Sequence, residues 1–204
     1  MITSLLKLAH DPIYAKRIDV LSSLIVENLK PGDKVLDIGC GFGALGKAVM
    51  SHQNCPQEVL VRGLEKKRRG GEAIEVIEYK GGHLPFSDKE FDVVVLADVL
   101  HHERDEDLLL TEAARITRRI LIVKDHKPEG LFGYWRVCFL DWAANSPHDV
   151  ECLYSYHTKA EWRSSFHKHN LTPLIEQDSI DLYPPVFNLC FGKRLHYFAV
   201  LEKV

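Results

Sequence analysis

Val35-Leu36-Asp37-Ile38-Gly39-Cys40-Gly41-Phe42-Gly43 decides the fold of this chain. Apolar residues lead into Asp37, as in a buried strand leaving a sheet, and three glycines then alternate. Residues 44–50, rich in alanine and leucine, follow as a helix. Glycines after a strand let the backbone turn tightly and approach a ligand, while the next helix points its unpaired N–H groups at the same place. Further on, Arg62-Gly63-Leu64-Glu65 closes the second strand with an acid.

Working outward, the chain alternates helix and strand. Residues 14–29 carry Ile18, Leu21, Leu24, Ile25 and Leu29 in a helical stripe, and Lys30-Pro31-Gly32-Asp33 turns the chain into the first strand. Further strands are expected over residues 58–64, 74–79, 91–97 and 120–124. Between the last two, Asp105 is placed to cap a helix, with Glu106 and Asp107 in its first turn and Arg118 and Arg119 at its far end. Residues 65–73 are too few for a helical crossover, which needs about 10–12, so a loop and a thin cover are expected there. Beyond the fifth strand, residues 131–145 are ring-rich and helical, and 158–169 form a helix capped by Thr158. Residues 171–183 read as a long strand broken by Pro184-Pro185, and 195–201 as the last strand. The alternation implies an α/β fold with a mostly parallel sheet covered on both faces.

Composition bounds the function. The chain has 204 residues, one domain's worth, and 46% hydrophobic content. A net charge of −3 offers no basic excess to neutralise phosphates, so nucleic acid is not expected as a partner. No apolar run approaches a membrane span, and the N-terminus lacks the pattern of a signal peptide. Five scattered cysteines make neither a disulfide framework nor a zinc spacing, and the chain reads as cytoplasmic.

The acid before the first glycine, the G-x-G-x-G spacing and Glu65 together resemble motif I of class I S-adenosylmethionine-dependent methyltransferases. Leu84-Pro85-Phe86 followed by Phe91-Asp92 resembles the LPF…FD segment of the small-molecule branch, and residues 93–102 resemble its fourth strand and exit. The resemblance covers residues 14–125 well, and more loosely Lys124-Asp125-His126, Asp141-Trp142, residues 154–156 and Leu182-Tyr183-Pro184. It implies a doubly wound Rossmann-like sheet of seven strands, order 3-2-1-4-5-7-6, with strand 7 antiparallel. A substrate lid is expected as an insertion at about residues 128–157 of a single domain. The implied cofactor is S-adenosylmethionine. Gly39, Cys40, Gly41 and Gly43 would contact its amino-acid tail, Asp37 its ammonium, and Glu65 its ribose hydroxyls; Gly81 and Asp98 complete the expected cofactor residues. One departure stands out: Lys80 lies where the family carries an acid for the adenine amino group.

Ligands of open α/β sheets bind outside the carboxyl ends of the strands, near the switch in strand order. That rule gathers Asp98, His101, His102, Asp125 and His126 around one crevice. Methyl transfer from a sulfonium neutralises charge, so positioning, worth up to roughly 7–11 kcal/mol, is the main requirement. A base is needed only for a hydroxyl or an acidic carbon; His126 is the first candidate and His102 the second. Neither His167 with His169 nor His101-His102-Glu103 has a ligand spacing, so no metal is expected. Two other readings remain open. Gly39, Gly41 and Ala44 meet a loose dinucleotide fingerprint, and Lys66-Lys67-Arg68-Arg69 suits the extra phosphate of NADP. The fold could also bind cofactor without catalysis. The sequence lacks the motifs of base-amine and cytosine methylation, which leaves a small, aromatic or lipophilic acceptor.

Overall fold

The computed structural model describes residues 2–145 and 152–203. Helix α1 (Ile2–Val26) leads into β1 (Lys34–Ile38), and α2 (Ala44–Ser51) returns to β2 (Leu60–Glu65). Strands β3 (Val76–Glu78) and β4 (Phe91–Ala97) follow, then a 3-10 turn (Leu100–His102), α3 (Glu106–Ile116) and β5 (Thr117–His126). The last part runs α4 (Gly133–Asn145), α5 (Lys159–Lys168), β6 (Leu171–Gln177), α6 (Pro185–Phe191) and β7 (His196–Lys203). The seven strands lie in the order β3-β2-β1-β4-β5-β7-β6, as expected. β7 is antiparallel to both neighbours, and the strands from β3 to β5 are parallel.

Burial on both faces explains why β4 reads Phe-Asp-Val-Val-Val-Leu-Ala with almost no alternation. On one face Leu109, Leu110 and Ala113 of α3 join Trp162 and Phe166 of α5. On the other, Leu21 and Ile25 of α1 pack with Leu45 and Val49 of α2 and Val137 and Leu140 of α4. No helix forms between β2 and β3, so that crossover is the loop its length implied. Ile74 on this loop does a helix's work: a Cβ at Gly43 or Gly46 would come within 2.6 and 2.7 Å of its side chain.

The C-terminal third departs from expectation in several places. β5 starts at Thr117, so Arg118 and Arg119 belong to it rather than to the end of α3. There Arg118 pairs with Asp92 at 2.7 Å and Arg119 with Asp33, tying β5 to neighbouring segments. β5 also runs on to His126, because antiparallel β7 supplies partners through His126↔His196. β6 stops at Gln177; Pro173 and a register shift sit in it, which an edge strand tolerates. Pro185 opens α6, the helix position where a missing N–H costs least, instead of merely ending a strand. Asp105 and Thr158 cap as expected; Thr158 and Glu161 form a reciprocal capping box.

Candidate active site

β1 delivers Asp37 into the sheet between Gly63 of β2 and Val95 of β4. The side chain is buried, one oxygen (Oδ2) has no partner among the described residues, and burial raises its pKa to about 7. The glycine loop then turns with φ of +69°, +55° and +75° at Gly39, Gly41 and Gly43. Two of these glycines are also required by packing: a Cβ would lie 2.5 Å from Val99 at Gly39 and 2.6 Å from Ile74 at Gly43. Gly41 instead faces open space. Its N–H donates to Glu65 Oε2 at 2.8 Å, while Lys66 N–H donates to Oε1 at 2.9 Å. Glu65 is thus held at the loop by backbone donors, and a carboxylate has lone pairs left for further donors.

Much of the loop's backbone hydrogen bonding is turned inward. Gly39 N–H is spent on the Leu64 carbonyl at 2.7 Å and Gly43 N–H on the Cys40 carbonyl at 2.8 Å. The Cys40 side chain turns onto β2, where a Cβ at Gly63 would touch its sulfur at 2.4 Å, and its N–H makes a long contact of 3.4 Å to the Leu64 carbonyl. Gly81 has φ +83° and open space around it, beside the exposed Lys80. The Leu84-Pro85-Phe86 segment is anchored from α3: Glu112 accepts from Leu84 N–H at 2.8 Å, and Arg115 donates to the Phe86 carbonyl at 2.8 Å. The basic run is also engaged. Lys66 pairs with Glu103 at 2.6 Å, Arg68 with Glu72 at 3.4 Å, and Arg69 lies over the Phe42 ring at 5.3 Å.

The crevice beyond β4 and β5 is a network of buried charge. Asp98, with φ +58°, gives its two carboxylate oxygens to Arg17 of α1 at 2.6 Å and Lys124 of β5 at 2.5 Å. Burial opposes ionisation of Asp98, but these cations hold its pKa well below the ordinary range. His101 Nδ1 lies 2.5 Å from Asp125 Oδ1, and its Nε2 faces Asp141 Oδ1 at 3.5 Å. Burial alone would lower the His101 pKa; the two carboxylates raise it to about 10. Asp141 also faces His102 Nε2 at 3.4 Å and accepts from Tyr156 OH at 2.6 Å.

Five of the expected crevice residues therefore do converge, but their roles shift. Asp98 is committed to Arg17 and Lys124. His126 is buried, its Nδ1 has no partner, and burial pushes its pKa down to about 4, so it is a weak base at neutral pH rather than an ordinary imidazole. His102 is the more accessible, with 16% of its side chain exposed against 1% for His101. Arg17, Asp141 and Tyr156 were not singled out for this network. Arg17 left no signal, being 81 residues from its partner. Asp141 did leave one: it falls on the buried stripe Gly133, Val137, Leu140 of α4, where a lone acid must find partners. Asp125 and His126 close the same crevice from β5, and the His101 and His126 rings stand 5.1 Å apart.

The large rings of α4 do not pack inward. Trp135 is 72% exposed, and Phe139 and Trp142 are each about half exposed. The ring that reaches the histidines is Tyr156, 5.5 Å from His101 and 6.1 Å from His126. Residues 146–151 of the expected lid lie outside the described residues. Among the described residues no helix is long and apolar enough to cross a membrane.

Comparison with known proteins agrees with this architecture. A methyltransferase from Aquifex aeolicus, described as S-adenosylmethionine-dependent, superposes with a TM-score of 0.64 over 98% of both chains at 15% identity. The [4+2]-cyclase SpnF gives the same TM-score, 0.64, at 14% identity over 91% of this chain and 81% of its own. At such identities the likeness shows the fold alone. In sequence, the chain is 27% identical over 140 residues to the demethylmenaquinone methyltransferase of Thermobifida fusca, covering 61% of this chain and 59% of that one. It is 30% identical over 112 residues to the ubiquinone/menaquinone biosynthesis C-methyltransferase UbiE of Burkholderia mallei, covering 49% and 46%. The chain spans about half the length of the curated relatives it matches. Residues 17–148, from the arginine that holds Asp98 to beyond α4, match the family model described as methionine biosynthesis protein MetW. On that match and this strand order the chain belongs to the MetW family, built on the class I S-adenosylmethionine-dependent methyltransferase fold.

Proposed function

We propose that the chain binds S-adenosylmethionine and transfers its methyl group to a small aromatic or lipophilic molecule. One observation carries the cofactor reading: Asp37 keeps an unpartnered carboxylate oxygen under the glycine loop, beside Glu65 on the adjacent strand. A buried, orphaned acceptor is costly unless a donor arrives. The ammonium of an amino-acid tail is such a donor, and the ribose hydroxyls suit the lone pairs that remain on Glu65. The same acid would lie against pyrophosphate in a dinucleotide enzyme, and three of the four basic residues that would greet a 2′-phosphate, Lys66, Arg68 and Arg69, already have partners.

When bound, S-adenosylmethionine supplies an electrophilic methyl group. The residues of the chain position what receives it. His102 and Tyr156 line the open side of the crevice, where an acceptor would lie. Asp98, Arg17 and Lys124 form its rigid wall, and the neutral His126 excludes water without adding charge. The quinone-biosynthesis names of two relatives and the exposed rings of α4 both support an aromatic or lipophilic acceptor. Calorimetric titration with S-adenosylhomocysteine and, separately, with NADPH tests the reading. Binding of the first and not the second is expected, followed by label transfer from S-adenosylmethionine to a quinone-like phenol. Binding of NADPH alone would overturn the cofactor reading; cofactor binding without transfer to any acceptor would favour a non-catalytic protein.

A further inference from the structure

His101, His102 and Asp141 present three ligand atoms that converge from two elements. The 3-10 turn brings the two adjacent imidazoles to the same side, with ring centroids 4.1 Å apart, and the buried stripe of α4 brings the carboxylate. We propose that His101 Nε2, His102 Nε2 and Asp141 Oδ1 bind a divalent transition-metal ion at the inner end of the crevice.

The distances argue first. The three atoms lie within 4.8 Å of one another. His101 Nε2 and His102 Nε2 stand 3.5 and 3.4 Å from Asp141 Oδ1. Those are poor hydrogen-bond lengths. An ion with bonds of about 2.0–2.2 Å in tetrahedral geometry sets its ligand atoms about 3.3–3.6 Å apart, which is the spacing from each imidazole to the carboxylate. Among the described residues, buried His101 Nε2 has no partner within hydrogen-bond distance, so an inward-facing ring nitrogen is left unmatched.

The surroundings argue second. A metal-binding histidine ordinarily gives its other ring N–H to a carboxylate, which fixes the tautomer and orients the ring. His101 Nδ1 does so with Asp125 Oδ1 at 2.5 Å, and Asp125 Oδ1 is itself fixed by His126 N–H at 2.6 Å. The second oxygen of Asp141 accepts from Tyr156 OH at 2.6 Å, while Oδ1 faces the imidazoles and accepts from Asn145 Nδ2 at 2.7 Å. The same Asn145 Nδ2 lies 3.3 Å from His102 Nε2, so its amide bridges two of the ligand atoms and is the group an ion would displace. The neighbouring group Asp98, His101 and Asp125 also clusters, yet it is an ion-pair set: Asp98 is taken by Lys124 and Arg17. Two imidazoles and one carboxylate suit zinc, cobalt, nickel or ferrous iron better than magnesium or calcium. The partial exposure of His102 gives such an ion a side open to the crevice.

The test reads metal directly, so it is independent of methyl transfer. Tag-free full-length protein is stripped with a chelator, then titrated with Zn²⁺ and with Co²⁺ by calorimetry and by visible absorption. One ion per chain is expected, with ligand-field bands from Co²⁺. His102→Ala and Asp141→Asn should each weaken binding at least tenfold, Asp125→Asn about 10–100-fold, and the exposed His167→Ala not at all. Circular dichroism checks each variant; if Asp141→Asn does not fold, His102→Ala decides, since its ring is partly exposed. No stoichiometric ion in the wild type, or unchanged affinity in a folded His102→Ala, overturns the proposal.

Discussion

Replacing Asp37 by Asn separates what this residue costs the fold from what it gives the cofactor site. The carboxyl is buried under the glycine loop, and burial moves its pKa from 3.8 to about 7. The folded protein therefore holds a proton there that the unfolded chain releases at lower pH. The sign follows from linkage: below pH 3.8 the residue is neutral in both states and costs nothing. As pH rises from there through about 7, the unfolded chain ionises first and stability is lost; above about 7 the loss is complete. At about 1.36 kcal/mol per pKa unit the full cost is on the order of 4 kcal/mol. A realistic share after relaxation is about 1–4 kcal/mol. Asp37→Asn removes that cost while keeping size and an acceptor. Without ligand, the variant should match the wild type near pH 4 and become progressively more stable towards pH 8. Cofactor binding should move the other way. Losing the charged acceptor for an ammonium, about 1.5–3 kcal/mol, weakens S-adenosylhomocysteine about 10- to 150-fold. Urea denaturation from pH 4 to 8, with calorimetry at pH 8, reads both effects. Equal stability of the two proteins at pH 8 would refute the buried-acid argument, and equal affinity would refute the ammonium role.

Other outcomes are expected of the same site. Glu65→Ala should weaken the cofactor about tenfold or more, through one charged acceptor worth ~1.5–3 kcal/mol; unchanged affinity in calorimetry rejects the ribose role. Asp98→Ala strands Arg17 and Lys124 in the interior and should cost about 3–5 kcal/mol in denaturant unfolding; a loss below about 1 kcal/mol would mean the cations find other partners. Lys80→Asp should leave cofactor affinity unchanged or improve it, whereas a clear loss would show that Lys80 makes its own contact. Hydrogen exchange over residues 131–157 should slow when S-adenosylhomocysteine and an acceptor are both present, and equal protection in every state would exclude a lid.

The order of the strands was legible only through the resemblance to class I methyltransferases, whereas most of the elements themselves follow from short-range rules. A strand ending in Asp37 before three glycines, apolar runs such as Val93-Val94-Val95-Leu96, and Asp105 and Thr158 as caps all act on near neighbours in the chain. Glu65 was legible for the same reason, since it closes a strand beside the glycine loop. What depended on the partner across the sheet was not. β7 carries β5 on to His126, and pairing with β4 from Thr117 places Arg118 and Arg119 in the strand. The crevice is the clearest case. The sequence by itself determined that acids and imidazoles would gather beyond β4 and β5. Only the tertiary structure decided which of them are paired, neutral or exposed, because burial and charge from distant segments set those states. Arg17 from α1 takes Asp98, and Asp141 from α4 joins Asp125 in flanking His101 at its two ring nitrogens. His126, the imidazole that looked most useful, sits beside Lys124 in a buried pocket and is left without a charge.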